Sequence, residues 1–261
     1  MRRGRVATRF CACRAADRRL RSGVHDPPFA TIAAVLLDLG NTLIGMDAVL
    51  VCDAMVAEGV PCTPDRFRRA EAASRPALSA WIESPTSSGP TGLVYVTEIL
   101  RCLGVDGDAH RALLAPRLLA RMRSVPTQRL WSEVLPGVPA ALESLRGNGL
   151  RLVVVSNSDG TAEDGMVEVG LRPLVDAVVD SAVFGVEKPD RRIFEHALDL
   201  GGVRAADAIH VGDLHAADVV GAIGAGIHPV LLDPFGDWPA RACATATDLA
   251  ALARRIATVR R

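Results

Sequence analysis

Lysine is almost missing from this chain. Of 30 lysines and arginines in 261 residues, only Lys188 is a lysine. A genome-wide base bias accounts for such a trend. A lysine that survives it suggests a place where a compact ammonium is needed and a planar guanidinium will not serve. Metal-type cysteine spacing is missing as well. The six cysteines are Cys11, Cys13, Cys52, Cys62, Cys102 and Cys243, and no C-x-x-C pair occurs. That gives no support to a zinc knuckle or a dithiol redox motif, and scattered thiols suit a reducing cytoplasm. No run approaches the ~18 apolar residues of a membrane span, so a soluble cytoplasmic protein is expected. Net charge is zero, but residues 1–28 carry eight arginines against Asp17 and Asp26, which leaves the rest of the chain at −6. A mildly acidic body offers no footprint for nucleic acid. Residues 1–28 are Arg-rich and lack the apolar core of a secretory signal, so they read as a disordered extension.

What is present is a regular alternation. The chain is 49% hydrophobic and 23% charged, enough for a sizeable core. Continuous apolar runs at 33–39, 150–155, 175–179, 208–211 and 229–232 read as strands buried on both faces. Helical spacing at 138–148, 191–200, 216–225 and 247–260 falls between and after them. This pattern predicts an α/β fold: a doubly wound, Rossmann-like parallel sheet with helices on both faces. One gap interrupts it. The 110 residues at 40–149 separate the first two strands, far beyond the ~15 residues of an ordinary loop. Helical spacing at 48–58, 64–74, 92–103 and 109–123 fills the gap. The expected division is therefore an α/β core at 29–45 and 132–261 with an inserted helical cap at 46–131.

In an open parallel sheet, ligands bind at the carboxyl ends of the strands. The first strand ends in Asp38, followed by Gly40, Asn41 and Thr42. The second ends in Ser156-Asn157-Ser158-Asp159-Gly160. The fourth ends in Gly212-Asp213, with Asp218 five residues on. Lys188 lies in GVEKPD, between the third and fourth strands. Each feature alone has a plain structural explanation: Asp38 or Ser156 as a cap, Gly212-Asp213 as a turn, Lys188 as a surface residue. His215 reads as a solvated loop histidine and His210 as a core residue.

Together and in this order, D-L-G-N-T (38–42), V-V-S-N (154–157), E-K-P-D (187–190) and V-G-D-x-x-x-x-D (211–218) resemble the four motifs of the haloacid dehalogenase-like (HAD) superfamily. The resemblance covers residues 31–235, and the insertion after the first strand is similar to that family's C1 cap. It implies a Mg²⁺-dependent hydrolase acting on a small phosphorylated molecule. Asp38 would be the nucleophile that forms an aspartyl-phosphate. Asp38, Asp213 and the Gly40 backbone carbonyl would hold Mg²⁺, with Asp218 orienting the shell from behind. Thr42, Ser156 and Asn157 would hold phosphate oxygens, and Lys188 would neutralise Asp38 and the phosphate.

One element of the family pattern is missing. In most of its phosphatases the position of Gly40 is a second Asp that protonates the leaving oxygen and then deprotonates the attacking water, help typically worth about 10²–10⁴ in rate. Carbon–halogen hydrolysis needs no such acid, yet those relatives lack the Gly-Asp pair kept here as Gly212-Asp213. Phosphonate cleavage needs a cap lysine, and residues 46–131 contain none. A fold that binds a ligand or partner with little turnover is the alternative from another class. For a working phosphatase, Asp47 or an acid in the cap could stand in. Arg66, Arg68, Arg69, Arg75 and Trp81 are the cap side chains open to substrate contact.

Overall fold

The computed structural model describes residues 26–239 and 243–260. Most of the expected extension at 1–28, with Cys11 and Cys13, lies outside the described residues. Phe29 is already buried in the core.

The strands are β1 (Ala34–Leu37), β2 (Ile44–Gly45), β3 (Glu133–Val134), β4 (Arg151–Ser156), β5 (Ala177–Asp180), β6 (Ala208–Gly212), β7 (His228–Leu232) and β8 (Ala244–Ala246). Six of them form one sheet in the order β5-β4-β1-β6-β7-β8, parallel throughout. β1 is central and all four of its residues are buried, which explains its unbroken apolar sequence. Val35, Leu37, Leu152 and Val154 face one apolar layer, packed on Leu142, Leu145, Leu252 and Ile256. Leu36, Val153 and Val155 face the other, against Ile193, Phe194 and Ala197. Strand order reverses around β1, so the carboxyl ends of β1, β4 and β6 open into a shared crevice.

Between β2 and β3 the chain forms α1 (Ala48–Ala57), α2 (Pro64–Glu83), α3 (Thr91–Cys102) and α4 (Asp108–Arg123). These four pack around an apolar cluster of their own that includes Val51, Met55, Phe67, Ile99, Leu100 and Leu118. Asp47 caps α1 by accepting from the N–H groups of Val49 and Leu50, 3.1 and 3.0 Å away. β2 and β3 pair antiparallel where the chain leaves the sheet and returns to it.

Three elements differ from the sequence expectation. α2 does not stop at 74 but continues through Pro76 to Glu83. Tertiary contacts carry it past the proline: Ala216 N–H donates to Ser79 Oγ at 2.7 Å, and Ser74 and Ser79 are fully buried. The helix expected at 216–225 is a π-turn at His215–Val219 followed by an α-helix at Val220–Ala225. The widened turn lets Asp218 accept from the Leu214 N–H at 3.0 Å. Strand β8 follows a short stretch too weakly patterned to stand out. Cys52 and Cys62, which looked unrelated, place their sulfurs 3.0 Å apart as free thiols. Burial, with the neighbouring thiol, pushes Cys52 up to about 12.

Candidate active site

Asp38 stands one residue past β1, and its N–H donates to the Val211 carbonyl of β6 at 2.8 Å. This pins the carboxylate at the centre of the crevice. Thr42 Oγ1 donates to Asp38 Oδ2 at 3.2 Å. Lys188 Nζ donates to Asp38 Oδ1 at 2.5 Å and to Asp218 Oδ1 at 2.8 Å. All three side chains are nearly fully buried. The lysine is placed by its own backbone. Lys188 N–H donates to Asn157 Oδ1 at 2.7 Å, while Asn157 Nδ2 donates to the Lys188 carbonyl at 3.0 Å. The Asn157 side chain thus clasps the segment that carries the ammonium. Ser156, buried at the end of β4, lines the same crevice.

Asp218 is held on every side. Besides Lys188 and the Leu214 N–H, its Oδ1 lies 3.0 Å from His210 Nε2. His210 Nδ1 is buried without a partner, so Nε2 is the ring nitrogen that meets the network. His210 is thus a core residue and also a support for Asp218. Gly212 leaves the room Asp218 needs: a Cβ there would lie 2.2 Å from Asp218 Cγ.

Asp38, Asp213 and Asp218 each present a carboxylate oxygen, all within 4.8 Å of one another. An all-oxygen acidic donor set of this kind suits a hard divalent cation. Asp218 is occupied by Lys188, His210 and the backbone, so Asp38 and Asp213 are the freer pair. Gly40, two residues after Asp38, lines the same crevice.

Burial raises Asp38 above the usual carboxylate range, while the Lys188 ammonium pulls it back. Burial also pushes Asp218 up, but Lys188 and His210 outweigh it and hold Asp218 low. Burial alone would lower Lys188; the carboxylates of Asp218 and Asp38 raise it instead. Asp213 is pushed up to about 8, first by burial, with Arg75 opposing and Asp38 and Asp218 reinforcing.

Sequence reading missed a second layer of the site, supplied by α2 and α3. Arg75 Nε lies 3.2 Å from Asp213 Oδ2, and the same guanidinium is paired with Glu71. Tyr95 Oη donates to Glu71 Oε1 at 2.6 Å, and Asn41 Nδ2 donates to that oxygen at 3.0 Å. Arg75 and Glu71 are both buried. Their four-residue spacing is visible in the sequence, but it looks like any surface helix pair. The C-terminal half of α2 is also bound to the loop after β6: Ser79 meets Ala216, and Glu83 Oε1 lies 2.6 Å from His215 Nδ1. His215 is therefore buried against this helix and not solvated.

Gly40 faces an aromatic ring. A Cβ built on it would lie 3.2 Å from Cζ3 of Trp131 and 3.5 Å from Cη2. Trp131 follows the short helix Thr127–Leu130 where the chain re-enters the sheet domain, and it packs against both apolar clusters. Asp47 is committed to capping α1 and does not reach the crevice, which has a volume of about 500 Å³. Arg75 lines that crevice, as do Leu78, Tyr95 and Trp131. Arg66, Arg68, Arg69 and Trp81 do not.

Residues 32–226, well over half of the chain, match the family model of the haloacid dehalogenase-like hydrolases. The chain belongs to that family of hydrolases. A phosphoglycolate phosphatase of Cupriavidus necator is 32% identical over 215 residues, covering 78% of this chain and 81% of that protein. Haloacid dehalogenase-like hydrolase domain-containing protein 3 of Bos taurus is 44% identical over 100 residues, 38% of this chain and 40% of its own length. The chain thus spans about two fifths of the first curated relatives it matches. Among solved structures, the magnesium-bound HAD-hydrolase YfnB of Bacillus subtilis superposes with a TM-score of 0.61 at 17% identity. That match covers 86% of this chain and 98% of that one, a likeness in fold. No helix among the described residues is long and apolar enough to cross a membrane.

Proposed function

We propose that this hydrolase is a Mg²⁺-dependent phosphatase acting on a small phosphorylated molecule through an aspartyl-phosphate on Asp38. The observation that carries the reading is the convergence of Asp38, Asp213 and Asp218 within 4.8 Å of one another, two of them, Asp38 and Asp218, on the single buried lysine. Three acids packed this closely repel one another, and a cation relieves that repulsion. Lys188 does so in part; Mg²⁺ held by Asp38, Asp213 and the Gly40 carbonyl would complete it. The metal would supply charge stabilisation for the transferring phosphoryl group. The names of the phosphatase relatives support the same reaction class.

Each residue then has a role. The Asp38 carboxylate attacks phosphorus, and Thr42 orients it through its hydroxyl. The Ser156 hydroxyl and the Asn157 N–H donate to the phosphate oxygens, while the Asn157 side chain positions Lys188. Lys188 balances negative charge that builds up on the transferring group. Asp218 holds Lys188 in place and shapes the metal site from behind. Residues 46–131 act as a cap whose α2 closes the crevice and whose Arg75 balances Asp213.

The test is phosphate release from p-nitrophenyl phosphate with and without Mg²⁺. Release that requires Mg²⁺ and is abolished in Asp38→Asn is expected. Metal-independent halide release from a 2-haloacid would replace this reading with dehalogenation. Binding of ligand without any turnover would leave the non-catalytic alternative.

A further inference from the structure

We infer from the Trp131–Gly40 contact that the site is specialised for phosphoryl groups carried on weakly basic leaving oxygens: acyl phosphates, phosphoanhydrides and acidic aryl phosphates. The inference rests on the phosphatase reading and narrows its substrate class. A phosphate leaving as part of an ordinary alcohol needs a proton on the departing oxygen, because a free alkoxide is strongly basic. The chain positions no such donor on the nucleophile's loop. Gly40 has no side chain, and the ring of Trp131 fills the space into which one would project.

The other acids of the crevice are committed. Glu71 is paired with Arg75 and accepts from Tyr95 and Asn41. The Tyr95 hydroxyl has already given its hydrogen to Glu71. Asp159 accepts from the hydroxyls of Thr127 and Thr161, both at 2.6 Å, and those bonds hold it ionised. Asp213 is paired with Arg75, which leaves exposed Glu187 as the one carboxylate with neither a hydrogen bond nor an ion pair among the described residues lining the crevice.

The chemistry balances without a protein acid. Asp38 Oδ forms a bond to phosphorus, the phosphorus–oxygen bond to the leaving group breaks, and the departing oxygen keeps the electron pair as a stable anion. In the second step water attacks phosphorus and the electron pair returns to Asp38 as a carboxylate. The proton of that water goes to solvent. Both steps lack proton assistance, but only the first depends on the leaving group. The phosphoenzyme is therefore expected to accumulate.

The experiment uses the full chain with Mg²⁺ and a series of aryl phosphates. Their leaving groups run from acidic nitrophenols to phenol itself, near the ordinary phenolic pKa of about 10. Acetyl phosphate, inorganic pyrophosphate and glycerol 3-phosphate are run beside them. A steep fall of kcat/KM with rising leaving-group pKa is expected, together with a nearly constant kcat. A burst of one leaving group per enzyme should precede the steady state. Acetyl phosphate and pyrophosphate should each exceed glycerol 3-phosphate by about 10²–10⁴ in kcat/KM, the usual worth of the missing acid. The paired change Gly40→Asp with Trp131→Ala should raise kcat/KM on phenyl phosphate and glycerol 3-phosphate but not on acetyl phosphate.

A flat series with no burst overturns the inference while leaving the phosphatase reading intact. So does a Glu187→Gln protein that becomes steeper than wild type, because Glu187 would then be the acid. Mg²⁺-dependent release from none of these compounds, acetyl phosphate and pyrophosphate included, overturns both. The wild-type slope and burst need no variant, so a poorly folding double mutant does not blunt the test.

Discussion

Replacing Lys188 by methionine removes the one cation that, among the described residues, contacts both Asp38 and Asp218. Its ammonium lies 2.5 and 2.8 Å from them, and its side chain is 2% exposed. Methionine fills nearly the same volume, so the perturbation is electrostatic more than steric. Breaking a buried pair by deleting one partner costs about 3–5 kcal/mol, because the remaining charges stay buried and uncompensated. For a chain of this size 1 kcal/mol moves Tm by about 2–4 °C, so the expected drop at pH 7 is roughly 6–20 °C. The effect has a definite pH dependence. In the wild type, Lys188 and His210 hold Asp218 below its unfolded value of 3.8. That stabilisation is present above the unfolded value and disappears as pH falls through the folded one. The deficit of Lys188→Met should therefore be full at pH 7 and shrink as pH drops below about 4. Thermal melts of both proteins between pH 3.5 and 7.5 measure it. Lys188→Arg separates charge from shape, since it restores a cation but not a compact one. If the methionine protein at pH 7 melts within about 1 kcal/mol of wild type, the lysine does not neutralise this cluster and the reasoning fails.

The remaining predictions concern the metal and the glycine that makes room for Asp218. Asp213 is raised to about 8, so the metal-free fold favours its protonated form. Stability from that form is complete below the unfolded value of 3.8 and is lost as pH rises toward 8. Mg²⁺ needs the carboxylate, so the gain in Tm on adding Mg²⁺ should be larger near pH 8.5 than near pH 6; an equal or smaller gain refutes Asp213 as a ligand. Gly212→Ala puts a Cβ 2.2 Å from Asp218 Cγ. A loss of about 1–3 kcal/mol by urea unfolding and a marked loss of kcat are expected, and a variant with normal activity would show that Asp218 can move without consequence.

Much of the fold could be read from local pattern. Five central strands announce themselves as unbroken apolar runs because a parallel sheet buries both of their faces. The insertion is visible as a gap in the alternation, and three of the four reactive segments fall at strand ends, the fourth, with Lys188, lying between two strands. What pattern missed depends on distant partners. Helical spacing is legible only over 64–74, yet contacts from Ala216 and Asp213 carry α2 past Pro76 to Glu83. The weak strand β8 gains its place only by pairing with β7.

The site divides in the same way. Asp38, Thr42, Lys188, Asp213 and Asp218 are legible in one dimension, because short loops at neighbouring strand ends must converge once the sheet forms. The rarity of lysine in this chain marked Lys188 further. Arg75 is legible only as one of several cap side chains open to contact, and Glu71, Tyr95 and Trp131 not at all. They lie on helices and a linker whose approach to the crevice is set by packing between two apolar cores, and no spacing rule spans that distance. The sequence alone determined that Gly40 offers no acid. Tertiary structure alone decided what stands there, because Trp131 arrives 91 positions later through the closing of the chain upon itself. With the ring 3.2 Å from where a Cβ on Gly40 would stand, any side chain there requires Trp131 to shift, so this part of the crevice is shaped by the packed fold and not only by one residue.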